Sequence, residues 1–182
     1  MFNRKETVIL VAIEDELSKS LLPDWNIVYT GVGKINAALS IANAYNLYSP
    51  RVFINFGSAG ALNSSIRGLN EVSKFYQRDM DARQIGFPVG VTPFDNISTI
   101  DLKRDGLTCS SGDNFVTENP LIETDLVDME SYALAKFCYN MNLEFYCFKF
   151  VSDNANSKAS NDWEKNYKQG SLLFIRMLNR LS

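Results

Sequence analysis

The chain alternates between uninterrupted apolar runs and stretches in which apolar residues recur at helical spacing. An uninterrupted run of β-branched and aliphatic residues predicts a strand that is covered on both faces of its sheet. Strands are predicted at residues 7–13, 25–30, 51–56, 71–76 and 106–110. Residues 126–156 add a short strand, a helix and a further buried strand.

Helical periodicity predicts three helices, at residues 35–47, 129–141 and 160–181. The recurring apolar residues of each helix form its expected core face. They are Ile35, Leu39, Ala42 and Leu47 in the first helix, Ala133, Phe137 and Tyr139 in the second, and Leu173, Phe174, Met177, Leu178 and Leu181 in the third. Residues 85–96 are rich in glycine and proline, which predicts a loop.

Strands alternate with helices, and each strand ends in glycine, an acid or a polar turn. This order indicates an α/β fold built on a mainly parallel sheet. A length of 182 residues suits one domain, 1–182, that is large enough to bury a full core.

Charge and composition exclude several classes of function. The formal net charge is −3 and the basic residues are scattered, so we expect no nucleic-acid partner. The apolar stretch at the N-terminus is too short for a membrane span and lacks a cleavage site, so we expect no membrane partner. The three cysteines form no CxxC pair, which favours a reducing, cytoplasmic setting over a disulfide framework.

The chain contains no histidine. This absence excludes Ser-His-Asp and Cys-His catalysis, together with histidine-ligated metal sites. No other group of side chains has the spacing of metal ligands. We therefore expect neither a metal nor a cofactor.

Candidate functional residues are concentrated where the predicted strands end. In open α/β sheets, ligands bind outside the carboxyl ends of the strands. Glycines at such turns let the backbone approach a ligand closely, although a tight turn is the better explanation of GVGK alone. The residues at these ends are Glu16, Gly31, Gly33, Ser58, Gly60, Phe115, Glu130 and Asp153.

These residue types suit the cleavage of an N-glycosidic bond. A flat aromatic ring can stack on a planar base, and a carboxylate can accept hydrogen bonds from both hydroxyls of a diol. An acid with a raised pKa can protonate the departing nitrogen while a second carboxylate activates water.

Six segments carry a resemblance to a known family. They are AIEDE (12–16), TGVGKINAA (30–38), INFGSAGAL (54–62), SSGDNFV (110–116), VDMESYALA (127–135) and FKFVSDNA (148–155). In this order they resemble the purine nucleoside phosphorylase/nucleosidase superfamily, and most closely the 5′-methylthioadenosine/S-adenosylhomocysteine nucleosidases. The resemblance implies a shortened three-layer α/β/α fold around a central mixed, mainly parallel, twisted sheet. It also implies a purine nucleoside as substrate and a homodimer as the assembly.

The resemblance also assigns roles on the water and sugar side of the site. Glu16 matches the base that activates the attacking water, and Ser58 matches the serine near that water. Met129 and Glu130 match the pair that binds ribose, with Glu130 holding the sugar hydroxyls.

On the purine side, Phe115 matches the ring that stacks on the base, and the Val116 backbone matches the contact to its edge. Asp153 matches the acid that protonates N7 of the leaving purine, positioned by Ser152. Gly60 belongs to the same substrate-binding set.

The sequence departs from the family pattern at four places. Lys149 stands where these nucleosidases usually carry arginine, and lysine lacks the bidentate fork that would help to position water. The segment between Glu16 and Tyr29 is short and lacks a strand pair that the family usually has. Residues 77–81 replace a turn that commonly contains histidine, and the loop that follows is compact. These departures leave the preference for the 5′-substituent open.

Two alternatives to hydrolysis remain. A phosphorylase would need a cationic phosphate site, which Arg78, Arg83 or Lys34 could provide together with the amides of residues 31 and 33. Gly33 and Arg78 are also candidates for a contact on the 5′ side of the sugar. Against it, the chain lacks a GDPxR-like phosphate loop after the first strand. A shortened relative that binds a nucleoside without cleaving it is the second alternative, motivated by Lys149 and the compact pocket mouth.

Overall fold

The computed structural model describes residues 2–118, 120–153 and 166–181. The described residues form eight strands, of which seven lie close to the predicted positions and the short β5 was not predicted. They are β1 (Thr7–Val11), β2 (Asn26–Tyr29), β3 (Val52–Ala61), β4 (Leu69–Gln77), β5 (Thr99–Asp101), β6 (Leu107–Ser111), β7 (Leu126–Asp128) and β8 (Glu144–Asp153).

The sheet is mixed. Among the described residues, β1 pairs in parallel with β2 and β3, β3 with β8, β4 with β6, and β6 with β7. The pairings β3–β7, β4–β5 and β4–β8 are antiparallel. The expectation of a mainly parallel sheet is therefore only partly confirmed. Because β8 joins β4 to β3, the pairings among β3, β8, β4, β6 and β7 return to their starting strand.

Strands β3 and β8 form the longest pairing in the sheet. Their register runs from Val52 opposite Glu144 to Ala59 opposite Val151, and then shifts so that Gly60 lies opposite Asp153. The shift is a β-bulge in which Ser152 is the extra residue. A bulge re-aims the side chains around it, so the functional end of β8 departs from regular alternation.

Helices occupy Lys34–Tyr48 (α1), Ser131–Asn140 (α2) and Gly170–Leu181 (α3). Buried residues of α1 and α2 belong to one hydrophobic cluster, and those of α3 belong to a second. In the second cluster the ring of Phe174 stacks on that of Phe56, with centroids 4.4 Å apart. The predicted helical residues 160–165 lie outside the described residues.

The predicted core face of α1 is wrong. Ile35, Leu39 and Leu47 are 74%, 62% and 73% exposed, whereas the buried residues of α1 are Ala37, Ile41 and Ala44. The small alanines permit close packing against the sheet. The larger side chains consequently form an apolar surface, here called the outer face of α1.

The predicted faces of the other helices are only partly right. In α2, Tyr139 is 56% exposed, and the buried set instead includes Tyr132, Leu134, Ala135 and Cys138. In α3, Phe174 and Leu178 are buried as expected, while Leu173 and Leu181 are 39% and 42% exposed.

The three cysteines are free and buried, where a thiol packs as a small hydrophobic side chain. No helix among the described residues is long and apolar enough to cross a membrane.

Candidate active site

A cavity of about 790 Å³, including its open mouth, lies where the ends of β1, β3, β6, β7 and β8 converge. Nearly every residue singled out from the sequence lines it: Glu16, Ser58, Gly60, Arg78, Phe115, Val116, Met129, Glu130, Lys149, Ser152 and Asp153. Gly33 lies behind it, in contact with Glu130.

Glu16 follows β1 and is 4% exposed. Its Oε1 accepts hydrogen bonds from the Ser58 amide at 2.8 Å and from Ser58 Oγ at 2.5 Å. Its Oε2 is buried and has no hydrogen-bond partner among the described residues. Burial of a carboxylate oxygen without a hydrogen-bond donor costs free energy. Oε2 is therefore the oxygen of Glu16 that can still accept a hydrogen bond from a ligand.

Glu130 stands directly before α2, and its Oε1 accepts a hydrogen bond from the Gly33 amide at 2.9 Å. Gly33 has a φ of +92°, in the region that favours glycine, and a Cβ there would lie 3.1 Å from Asp113 Oδ1. The turn therefore presents its amide to Glu130. Burial and the nearby charge of Asp128 raise the pKa of Glu130 to about 7.

Asp128 is a site residue that the sequence analysis missed. Its Oδ2 lies 2.8 Å from Lys149 Nζ, and both side chains are 1% exposed. Its Oδ1 accepts hydrogen bonds from Ser111 Oγ and Ser131 Oγ at 2.5 and 3.0 Å. The signal was Lys149 itself, because a lysine inside a buried apolar strand requires an acidic partner.

The ion pair shifts the pKa values of Asp128 and Lys149 in the direction that favours the charged form of each side chain. Burial alone would raise the pKa of Asp128, but Lys149 and the Ser111 hydroxyl lower it to about 2. Burial alone would lower the pKa of Lys149, but attraction to Asp128 raises it above its ordinary value. Lys149 is therefore a fixed cation beside Glu130.

Lys149 Nζ and Glu16 Oε2 both lie near Gly57. A Cβ added to Gly57 would lie 3.4 Å from Lys149 Nζ and 3.5 Å from Glu16 Oε2. The ammonium and the carboxylate oxygen thus face the same space beside the β3 backbone. Water placed there would meet one donor and one acceptor.

Asp153 is 8% exposed and ends β8. Ser152 Oγ lies 2.9 Å from Asp153 Oδ2 and 3.3 Å from the Ala59 carbonyl oxygen, and its single proton serves one of them at a time. Adjacent residues of a regular strand point to opposite faces. The bulge at Ser152 accounts for the approach of these two neighbouring side chains.

On the opposite wall, the ring of Phe115 is 49% exposed, whereas Val116 is buried against Val127. A half-exposed aromatic side chain that lines a pocket can stack on a planar ligand. Met129 joins this wall directly before Glu130.

The cations considered for a phosphate site already have partners. Arg78 donates to the carbonyl oxygens of Ser110, Asp128, Gly112 and Asn114. Lys34 Nζ lies 2.6 Å from Asp79 and 2.9 Å from Asp113. Arg83 pairs with Asp81.

Metal chemistry has no candidate position among the described residues, where no group of three or more acidic or cysteine side chains is arranged to hold an ion.

Two comparisons at the level of sequence identify the family. The family model of the phosphorylase superfamily matches residues 112–181. A 5′-methylthioadenosine/S-adenosylhomocysteine nucleosidase of Staphylococcus aureus is 30% identical to this chain. The match covers 79% of this chain and 75% of the relative. The chain belongs to the phosphorylase superfamily, in its nucleosidase family. The resemblance drawn from the six sequence segments is confirmed.

Solved structures of this superfamily share the fold. A Helicobacter pylori 5′-methylthioadenosine/S-adenosylhomocysteine nucleosidase in complex with a pyrrolidin-3-ol compound matches with a TM-score of 0.82, at 16% identity and over the whole of both chains. Futalosine hydrolase of the same organism matches with a TM-score of 0.83 at 17% identity, over 96% of this chain and 97% of that one. Two enzymes with different names fit equally well, so the fold alone does not identify a substrate.

We expect Asp128→Asn to lower the free energy of unfolding by about 3–5 kcal/mol, because it leaves the Lys149 charge buried and unpaired. Urea titration measures this cost. The control is Asp24→Asn, which breaks the exposed pair with Arg4 and should cost less than about 1 kcal/mol. Adding Lys149→Met to Asp128→Asn should recover part of the loss. Equal costs for the two aspartate variants would contradict the assignment.

The raised pKa of Glu130 has a consequence for stability. Its folded-state pKa rises from 4.5 to about 7, so its contribution is complete below about pH 4.5 and is lost as the pH rises through 7. Between pH 5 and pH 8, wild-type stability should fall by about 2–3 kcal/mol more than that of Glu130→Gln. Urea titrations across this range provide the measurement, and parallel pH curves for the two proteins would refute it.

Proposed function

We propose that this protein hydrolyses the N-glycosidic bond of a purine nucleoside of the methylthioadenosine or S-adenosylhomocysteine type, releasing the free base and the sugar. The observation that carries the proposal is the convergence of Glu16, Glu130 and Asp153 on one cavity that also holds the half-exposed ring of Phe115. Family membership and the nucleosidase relative support the same reaction.

In this proposal Glu16 is the general base. Ser58 holds Oε1 through two hydrogen bonds, which leaves Oε2 to accept a proton from the attacking water. Lys149 donates to the same water and keeps it oriented towards the sugar. The fixed charge of Lys149 replaces the arginine expected from the family pattern and supplies one donor direction instead of a fork.

Glu130 holds the ribose, with Met129 packed beside it. A carboxylate can accept hydrogen bonds from both hydroxyls of a diol. The Gly33 amide, which lies directly before α1, already donates to Glu130 Oε1 and holds the carboxylate in place. Negative charge near the sugar stabilises the oxocarbenium-like transition state of glycoside cleavage.

The purine lies on Phe115, with the Val116 backbone at its edge and Gly60 allowing close approach. Asp153 protonates N7 as the bond to the sugar breaks, and Ser152 orients the Asp153 carboxyl through the contact at 2.9 Å. Protonation converts the leaving base into a neutral molecule, which lowers the barrier to departure.

Water is favoured over phosphate as the nucleophile. A phosphorylase needs cationic donors aimed at the substrate, but Arg78, Lys34 and Arg83 are engaged with carbonyl or carboxylate oxygens. The Gly33 amide is engaged with Glu130. Binding phosphate would require several of these contacts to break.

The broader features of the proposal follow from the same family. We propose one domain over residues 1–182, in which α1 and α2 form one layer and α3 the other, on opposite sides of the sheet. The two separate hydrophobic clusters support this layering. The outer face of α1 supports a homodimer, since exposed apolar surfaces of this kind mark association sites. The free, buried cysteines support a cytoplasmic location.

A substrate panel tests the reaction. Methylthioadenosine, S-adenosylhomocysteine, adenosine, inosine and guanosine are each incubated with the protein, with and without phosphate, and the free base is measured by chromatography. We expect release from at least one of the first two, at a rate independent of phosphate. Release only with phosphate would indicate a phosphorylase. Tight binding without turnover would indicate a nucleoside-binding protein.

Asp153→Asn should lower kcat roughly 10²-fold or more, because asparagine cannot supply the proton to N7. Steady-state kinetics on the best substrate of the panel measures the loss. Asp24→Asn is the matched control on an exposed aspartate and should retain wild-type kinetics. Wild-type turnover in Asp153→Asn would show that another group protonates the base.

A further inference from the structure

Arg78 follows β4 and is 7% exposed. Among the described residues, its guanidinium donates to backbone carbonyls and, at 3.5 Å, to the Asn114 side chain. Nη1 donates to Ser110 O at 2.8 Å and to Asp128 O at 2.6 Å. Nη2 donates to Gly112 O at 3.1 Å and to Asn114 O at 2.5 Å. The planar fork of arginine can serve several acceptors in one plane, which the compact ammonium of lysine cannot do.

The four carbonyls belong to two segments that build the pocket. Ser110 ends β6, Gly112 and Asn114 lie in the turn that follows, and Asp128 ends β7. Residues 112–116 form neither helix nor strand, so their carbonyls have no ladder partners. Gly112 is buried and its carbonyl needs a donor from the protein, whereas Asn114 is exposed. Arg78 supplies partners to two of them.

The fit around the guanidinium is tight. A Cβ on Gly112 would lie 2.9 Å from Arg78 Cζ, 3.0 Å from Cγ and 3.1 Å from Nε. Real Cβ atoms do not approach that closely, so glycine is needed for the turn to close over the arginine. The backbone of the turn and the side chain of Arg78 therefore fix each other.

We propose that Arg78 is a positioning residue for base recognition: it holds the 112–116 turn against the end of β7, so that Phe115 and Val116 face the purine at a set distance from Met129 and Glu130. The proposal rests on the proposed function for the identity of the ligand. It assigns Arg78 a role that differs from the phosphate or 5′-side contact considered from the sequence.

The energetics favour a rigid turn. Burial lowers the pKa of Arg78, while the charge of Asp128 acts in the opposite direction. A buried guanidinium is tolerated only while its donors are satisfied. Moving the turn away would expose or orphan several hydrogen bonds at once, so the turn and its aromatic ring are held in the binding geometry before a ligand arrives. Such preorganisation contributes to affinity.

Arg78→Lys tests the role, with Arg104→Lys as the matched control. Arg104 also donates to a backbone carbonyl, that of Phe145, and pairs with Glu71, but it does not line the cavity. We expect Arg78→Lys to raise KM about tenfold with kcat changed less than threefold, since it weakens base binding in ground and transition states alike. Arg104→Lys should leave KM unchanged.

A double-mutant cycle asks whether Arg78 acts through Phe115. In a Phe115→Leu background, Arg78→Lys should raise KM less than threefold, because the ring that Arg78 positions is already absent. An undiminished tenfold effect in that background would overturn the proposal.

Hydrogen exchange keeps the proposal testable apart from turnover. In Arg78→Lys, the amides of residues 112–116 should exchange at least tenfold faster than in wild type, while those of β1 remain unchanged. If no nucleoside is cleaved but this exchange increases, the proposed function fails and the positioning role stands. Unchanged exchange in the turn would overturn the positioning role even in an active enzyme.

Discussion

Lys149 lies in the interior of β8, and its ammonium is held by Asp128 at 2.8 Å with both side chains almost fully buried. A charge in this position is tolerated only with a close partner. The pair therefore ties β7 to β8, and Lys149 Nζ lies near Gly57, as does Glu16 Oε2. The carboxylates of the cavity consequently lie near a fixed positive charge, which reduces their mutual repulsion.

The strand ends and the acids that follow them could be predicted from the sequence. Apolar runs mark buried strands, and parallel strands bring their carboxyl ends to one edge. Glu16, Glu130 and Asp153 therefore converge as expected. The role of each residue is a proposal, because its position in the cavity does not by itself show whether the carboxylate gives or takes a proton.

The sequence could not reveal features that depend on contacts between distant segments. The predicted face of α1 failed because alanines pack closest to the sheet, which turned Leu39 and its apolar neighbours outwards. The sequence predicts a ligand contact for Arg78, because the pattern of residues around it does not show which backbone carbonyls its guanidinium binds. Those carbonyls come from β6, β7 and a turn with no regular secondary structure.

Because of the bulge at Ser152, the position of Asp153 depends on the number of residues in β8. In a regular ladder the residue opposite Gly60 would be Ser152, whereas the register places Asp153 there. Side chains alternate between faces with a period of two residues. The location of the carboxyl is thus encoded in the length of β8 as well as in its composition. Inserting or deleting one residue between Val151 and Asp153 would change the face of the sheet that carries the acid, without substituting any residue of the cavity.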